Sequence, residues 1–398
     1  MCAKGLLQLK NIRLRNTLSV LNVLRTRDML SRVELARELN CPGTAITRIT
    51  RELIEKGILK SAGFIESNGG RPREQIKLVA DWKKAIGIEL APHRITGILS
   101  DLKGHILVRE EIFLSEQLGI EEFIHSMELV TRRLLDACEE EKLLGVGIAT
   151  FGPFSSESRV LGNVAAYPAL DYFDIRKFFE GKFALTVQVA DATYARALHE
   201  IWFNHAPDRG SFLLFDVGAG IGCATVFDGQ IVFGKYSNVG ELGHTVYKID
   251  GEACPCGKQG CLETLCSIRV IEQKARALKK SPKLKFAEVV KSYASGQDEF
   301  KDIVEDGARW LGLAIANQIS FLIPDKVILT GEILQLGERF FKKVNQSIDE
   351  YVFPAFRKET SISKSEAWRE SAALGAASLL VRKVFEDQSY SISGEHKA

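Results

Sequence analysis

The feature that most constrains what this chain can fold into is a unit that occurs twice. The first copy reads as strands over Ala85–Leu90, Arg94–Ser100 and Ile106–Phe113, with Asp101-Leu102-Lys103-Gly104 turning the second into the third. A helix over about Glu121–Glu139 and a buried strand over Leu144–Thr150 complete it. The second copy reads as strands over Phe212–Val217, Cys223–Phe227 and Gln230–Phe233, with a loop at Gly218–Gly222 and a hairpin turn at Asp228-Gly229. A long helix over Phe300–Leu322 and a buried strand over Lys326–Thr330 follow. Two copies of strand–strand–strand–helix–strand imply an α/β body of two similar lobes with a cleft between them.

The 398 residues leave room for more than these lobes. Charge separates the remainder. Residues 1–80 carry fifteen basic and seven acidic side chains, a net +8, against −6 for the rest of the chain. A basic head on an acidic body is suited to a polyanion, the alternative being a solvated basic surface. No apolar run of roughly eighteen residues is present, so no membrane span is expected. Met1–Lys10 lacks the apolar core of a signal peptide, which makes the cytoplasm the expected location.

The head follows a winged-helix order. A first helix spans Arg15–Thr26, with Leu18, Leu21 and Leu24 on one face. Ser31 and Glu34 form a capping-box pair at the start of a short helix, Arg32–Leu39. Asn40-Cys41-Pro42-Gly43 makes a turn. The third helix, Thr44–Lys56, sets Ile46, Ile49, Leu53 and Ile54 on one face and Thr44, Thr47, Arg48 and Arg51 on the other. Hydroxyl and guanidinium groups near a helix start suit phosphates and base edges in a major groove. Two short strands, Ile58–Lys60 and Gln75–Val79, enclose a loop with Gly69-Gly70-Arg71-Pro72-Arg73. Its glycines permit close approach, and Arg71 and Arg73 suit a narrow minor groove. The alternative is a winged helix used only for protein contacts.

Eight cysteines are present, and only three cluster. His244, Cys254, Cys256 and Cys261 fall within eighteen residues, a complete tetrahedral ligand set for zinc. In a reducing compartment such a cluster reads as metal-binding rather than cross-linked. Glu241 and Glu263 bracket the ligands and are not needed by the metal. They are either surface acids on a structural zinc knuckle or groups that hold something polar beside it.

The run Gly240-Glu241-Leu242-Gly243-His244, through Cys254-x-Cys256 to Gly260-Cys261-Leu262-Glu263, resembles the signature of the ROK family (repressor, open reading frame, kinase). The resemblance extends from about residue 15 to 386, and the wing Gly69-Gly70-Arg71-Pro72 is similar to that of the family's transcriptional regulators. It implies an N-terminal winged helix-turn-helix followed by a two-lobed actin-like, sugar-kinase-like ATPase fold. The implied domains are a DNA-binding head over 1–80, a sugar-binding body over 81–386 and a disordered tail over 387–398. Within the body, one lobe takes 81–190 with the C-terminal helix 370–386, and the other takes 191–369. Carried over by position, His244, Cys254, Cys256 and Cys261 match the family's zinc ligands, while Glu241, His244 and Glu263 match sugar-contacting positions. An imidazole can do both, because its two nitrogens are distinct. The family's kinases have Asn-Asp where this chain has Ala190-Asp191, so Asp191 occupies the position of the base that takes the hydroxyl proton. Asp191 also reads as an ordinary helix N-cap. Asn163 and Gly152 fall in segments that resemble sugar-facing loops.

The nucleotide side departs from the family's kinases. Their Asp-x-Gly-Gly-Thr hairpin, whose Asp helps hold Mg²⁺, corresponds to Glu89-Leu90-Ala91-Pro92-His93, which has no glycine and a proline without an N–H. Gly218-Ala219-Gly220-Ile221-Gly222 has Ala219 in place of a Thr, and Thr330-Gly331-Glu332 puts an acid at the nucleotide side. The expectation is a non-catalytic, sugar-responsive repressor that binds operator DNA as a homodimer or homotetramer, with Zn²⁺ in its body and a sugar or sugar phosphate as effector. The alternatives are an ATP-dependent sugar kinase and a regulator whose body binds a protein partner such as a sugar-transport component.

Overall fold

The structure, a computed structural model, describes residues 2–67, 70–114, 119–151, 173–204, 210–232 and 240–386. The polar tail 387–398 lies outside the described residues. The head runs α1 (Cys2–Thr26), β1 (Leu30–Ser31), α2 (Arg32–Glu38), α3 (Gly43–Glu55), β2 (Leu59–Ser67) and β3 (Gly70–Leu78). The capping box is formed as the sequence predicts. The Glu34 N–H donates to Ser31 Oγ at 3.3 Å, and Ser31 N–H donates to Glu34 Oε2 at 2.8 Å. Hydrogen bonds to its carboxylate hold Glu34 below the usual carboxylate range, Ser31 being the main donor.

Three features of the head differ from expectation. The first helix starts at Cys2 rather than Arg15, and no proline interrupts that stretch. The wing strands extend to nine residues each, from Leu59↔Leu78 out to Ser67↔Gly70. Side chains on the outer half of a hairpin face solvent on both sides, so no apolar alternation marks them. A third strand, β1, pairs with β3 and gives the order β1-β3-β2.

The body contains the repeat and extends it. Lobe one holds β4 (Lys84–Ala91), β5 (Arg94–Asp101), β6 (Ile106–Phe113), α4 (Ile120–Asp136), β7 (Leu143–Thr150), α5 (Ile175–Phe183) and β8 (Val187–Asp191), followed by α6 (Ala192–Trp202). Lobe two holds β9 (Phe212–Val217), β10 (Ile221–Phe227), β11 (Gln230–Ile231), α7 (Glu263–Cys266), α8 (Ile268–Lys279), α9 (Phe286–Ala294), α10 (Lys301–Leu322), β12 (Lys326–Thr330), α11 (Gly337–Tyr351), α12 (Pro354–Arg357) and β13 (Ser361–Lys364). The chain closes with α13 (Ser371–Glu386). The sheets have the orders β6-β5-β4-β7-β8 and β11-β10-β9-β12-β13, the same topology twice. In each, three antiparallel strands are extended by two parallel ones. The fifth strands, β8 and β13, are absent from the sequence reading.

Two helices join the lobes. Helix α13 lies so close to lobe one's sheet that a Cβ on Gly147 would fall 1.9 Å from Ala376 O. Helix α6 crosses α13 equally tightly, since a Cβ on Gly375 would sit 1.6 Å from Ala195 O. The other face of α6 packs Ala197 against Phe212, Leu214, Ala224, Val226 and Ile328 of lobe two. The head shares its core with this joint. Val20, Leu21 and Leu24 of α1 and Ile46, Ile49 and Leu53 of α3 form one cluster with Trp202, Leu380, Val384 and Phe385. Among the described residues no helix is long and apolar enough to cross a membrane.

Candidate functional site

The loop after β11 carries the ligand cluster. Gly240 opens the described part of it at φ +109°, with its Cβ position 1.6 Å from Cys223 O, so only glycine fits there. Cys223 N–H donates to Gly240 O at 3.0 Å and pins the loop to β10. Gly260, at φ +69°, is similarly confined by Lys248 O. Cys254 N–H donates to Lys258 O at 2.7 Å, closing the turn that carries Cys256.

These constraints bring the donors of His244, Cys254, Cys256 and Cys261 within 4.8 Å of one another. Their spacing fits a metal. A tetrahedral zinc site has edges of about 3.8 Å between sulfurs and about 3.6 Å between sulfur and nitrogen. Cys256 and Cys261 Sγ are 3.7 Å apart, and Cys254 Sγ lies 3.5 Å from His244 Nδ1. Burial pushes the Cys254 and Cys261 thiols up, Cys261 to about 12, whereas the Lys258 N–H holds the exposed Cys256 down. A cation at the centre would reverse the upward shifts, because a coordinated thiol loses its proton. The cluster can bind a metal.

His244 uses only one nitrogen towards the cysteines. Its Nε2 points the other way, 4.0 Å from Glu241 Oε2, and the Glu241 side chain is 61% exposed. Glu263 begins α7 and faces the phosphate-type loop. Its Oε2 accepts from Ile221 N–H at 3.3 Å, and its Oε1 pairs with Arg269 at 3.4 Å. Asp191 ends β8 and caps α6, with Oδ1 accepting from the N–H groups of Thr193 at 2.8 Å and Tyr194 at 3.2 Å. Burial pushes its carboxyl up to about 6, against the pull of the cap bonds, and Asp216 and Glu241 add to the rise. The N-cap reading of Asp191 is therefore realised. Gly152 and Asn163 lie outside the described residues.

The segments that correspond to the kinases' nucleotide contacts differ in how they are held: Ala219 and Gly220 are exposed, whereas Glu89 is buried among ion pairs. The expected loop at 218–222 is shorter, because Ile221 and Gly222 already pair with β9; Gly218 N–H donates to Gly220 O at 2.9 Å, and Glu263 takes the Ile221 N–H. Glu89 is 2% exposed and accepts hydrogen bonds from Arg94 at 3.1 Å and Arg196 at 2.6 Å. Arg196, also buried, donates at 2.9 Å to Asp216, which ends one residue short of the loop. Sequence reasoning missed Arg196, because nothing local marks it. Only its position one turn after Asp191 on a small-residue helix sets it apart.

On the head, Thr44, Arg48 and Arg51 project into solvent from α3 opposite its buried face, as does Arg73 from β3. Thr47 is half-buried and its hydroxyl donates to Gly43 O at 2.8 Å. The Arg71 side chain lies outside the described residues.

Several known proteins are similar. The DNA-binding transcriptional dual regulator NagC of Escherichia coli (strain K12) is 28% identical over 395 residues, covering 95% of this chain and 96% of that protein. The xylose repressor of Caldicellulosiruptor bescii is 24% identical over 391 residues, 94% of this chain and 97% of that one. A crystal structure of a ROK family transcriptional regulator, homologous to the E. coli MLC protein, matches with a TM-score of 0.76 at 24% identity, over 96% of this chain and 98% of that chain. A ROK family glucokinase from Streptomyces griseus, crystallised with glucose and AMPPNP, matches at 0.67 and 18% identity, over 75% of this chain and 99% of that one. The ROK family model spans residues 85–383, which with the twin five-stranded sheets and the His/Cys cluster establishes that the chain belongs to the ROK family.

Proposed function

We propose that this chain is a sugar-responsive transcriptional repressor of carbohydrate genes and not a kinase. The observation that carries this reading is the contrast across the cleft. Acids stand beside a metal-type cluster on the sugar side, whereas the segment Glu89-Leu90-Ala91-Pro92-His93 on the other side has no glycine and its Glu89 is tied to Arg196 and Arg94. The similarity to proteins named as N-acetylglucosamine and xylose repressors supports it.

In this reading Zn²⁺ is held by His244, Cys254, Cys256 and Cys261. It fixes the loop that offers Glu241, and it orients the His244 ring so that Nε2 faces the sugar. Asp191, Glu241 and Glu263 accept hydrogen bonds from sugar hydroxyls, with Asn163 as a further sugar contact. Residues 1–80 form the DNA-binding domain. Thr44, Thr47, Arg48 and Arg51 enter the major groove, and Arg71 and Arg73 enter the minor groove. Residues 81–386 form the sensing body, the active form being a cytoplasmic homodimer or homotetramer.

Helix α6 supplies a physical link between the sites. Asp191 caps its start at the cleft, and Trp202 ends it beneath Arg25 of α1, whose guanidinium lies 4.3 Å from the indole centroid. A sugar that binds one lobe arrangement more tightly shifts α6 and with it the head. The test is retardation of the gene's own upstream DNA by the purified chain, with N-acetylglucosamine and xylose as the first effectors. Retardation that a sugar relieves is expected. No retardation at moderate salt, or hexose-dependent ADP release that vanishes in Asp191→Asn, overturns the proposal.

A further inference from the structure

Arg196 is a buried charge that neither a sugar nor DNA would contact. It is 5% exposed, and four of its contacts span the joint. Nη2 donates to Glu89 at 2.6 Å, at the end of β4 in lobe one. Nε donates to Asp216 at 2.9 Å, at the end of β9 in lobe two. Nη1 donates to Trp368 O at 2.7 Å and to Ser371 Oγ at 2.6 Å, where the chain enters α13. The adjacent residue, Ala195, makes the α6–α13 crossing.

The planar guanidinium fixes these partners relative to one another, because its donors form a rigid fork. Moving lobe two away would take from the buried Arg196 one of its two carboxylates and from the partly buried Asp216 its cation, which costs more than losing an exposed pair. Glu89 and Asp216 sit near the ends of equivalent strands in the two copies of the repeat, and both accept from the same guanidinium. Two acids in that position need a cation between them.

We propose that Arg196 is an interlobe clamp, a built-in cation that joins Glu89 to Asp216 and holds the lobes together without a metal-bound nucleotide. Arg94 assists by holding the second oxygen of Glu89. Arg196 is thus a positioning residue that sets the resting angle of the body.

The test uses the full chain without sugar, so it stands apart from the sugar assignment. Amide hydrogen exchange is measured in wild type and Arg196→Met, together with the interlobe distance between non-cysteine fluorophores placed at the exposed positions Phe113 and Phe321. Exchange at Glu89–Ala91 and Asp216–Val217 should accelerate by about a hundredfold, with α10 unchanged and the interlobe distance increased. Magnesium with a non-hydrolysable ATP analogue should leave wild type unaltered on both readouts. Exchange that is unchanged, or faster uniformly across the molecule, overturns the clamp, as does a wild-type body that closes only with nucleotide. If Arg196→Met does not fold, Asp216→Asn carries the test on the same criteria.

Discussion

Arg25→Ala tests the junction that any sugar signal must cross. Arg25 lies over the Trp202 ring at 4.3 Å and within 5.9 Å of the Phe385 ring, and it donates to Trp202 O. A partly desolvated cation–π contact contributes about 1 kcal/mol. A hydrogen bond from a charged group to a sheltered carbonyl contributes about 1.5–3 kcal/mol. The substitution should therefore loosen the junction by about 2–4 kcal/mol. The head itself should survive, because Leu21 and Leu24 stay buried and Asn22 still donates to Phe385 O at 3.0 Å. The assay is operator affinity with and without sugar, alongside amide exchange over α1 and the end of α6. Affinity without sugar should change little. The factor by which sugar weakens it should fall by about tenfold, on the scale of a typical coupling energy. A loosened junction with an undiminished sugar response would refute α6 as the route.

Asp191→Asn retains a good N-cap but removes a carboxyl raised to about 6. The native state binds this proton more tightly than the unfolded chain, so its contribution to stability falls between about pH 4 and 6 and stays low above that. The variant should gain stability relative to wild type across that window in thermal melts while losing sugar binding; a pH-independent difference would count against the shift. Cys261→Ser should abolish stoichiometric metal by emission spectrometry and lower the melting temperature, and full metal content would remove Cys261 from the ligand set. Arg48→Ala and Arg73→Ala should each reduce the logarithmic salt slope of operator binding by about 1. Unchanged slopes would take these side chains off the phosphates.

Legibility followed sequence distance. The ligand cluster could be read because His244 and the three cysteines are close along the chain and turn geometry alone gathers them. The lobes could be read because β4, β5, β9 and β10 are buried, with strong apolar runs. The fifth strands were missed for the opposite reason: Ser361–Lys364 is short and largely polar, and it is a strand only because β12 pairs with it. Arg196 was invisible because its partners Glu89, Asp216 and Ser371 come from three distant segments. The fusion of the head's core to the body escaped notice as well. Trp202 and Phe385 read as ordinary helix residues until the fold sets them against α1.

That fusion leaves the head no reach of its own. Val79 passes through a single 3₁₀ turn at Ala80–Trp82 directly into β4, with no linker between wing and body. Readers on slack tethers tolerate extra base pairs between their half-sites. A pair of these chains would have to twist either the DNA or the protein joint to do so. Genomic sites for this protein should therefore share one helical phase between half-sites, and inserting half a turn of DNA should abolish binding where a full turn does not.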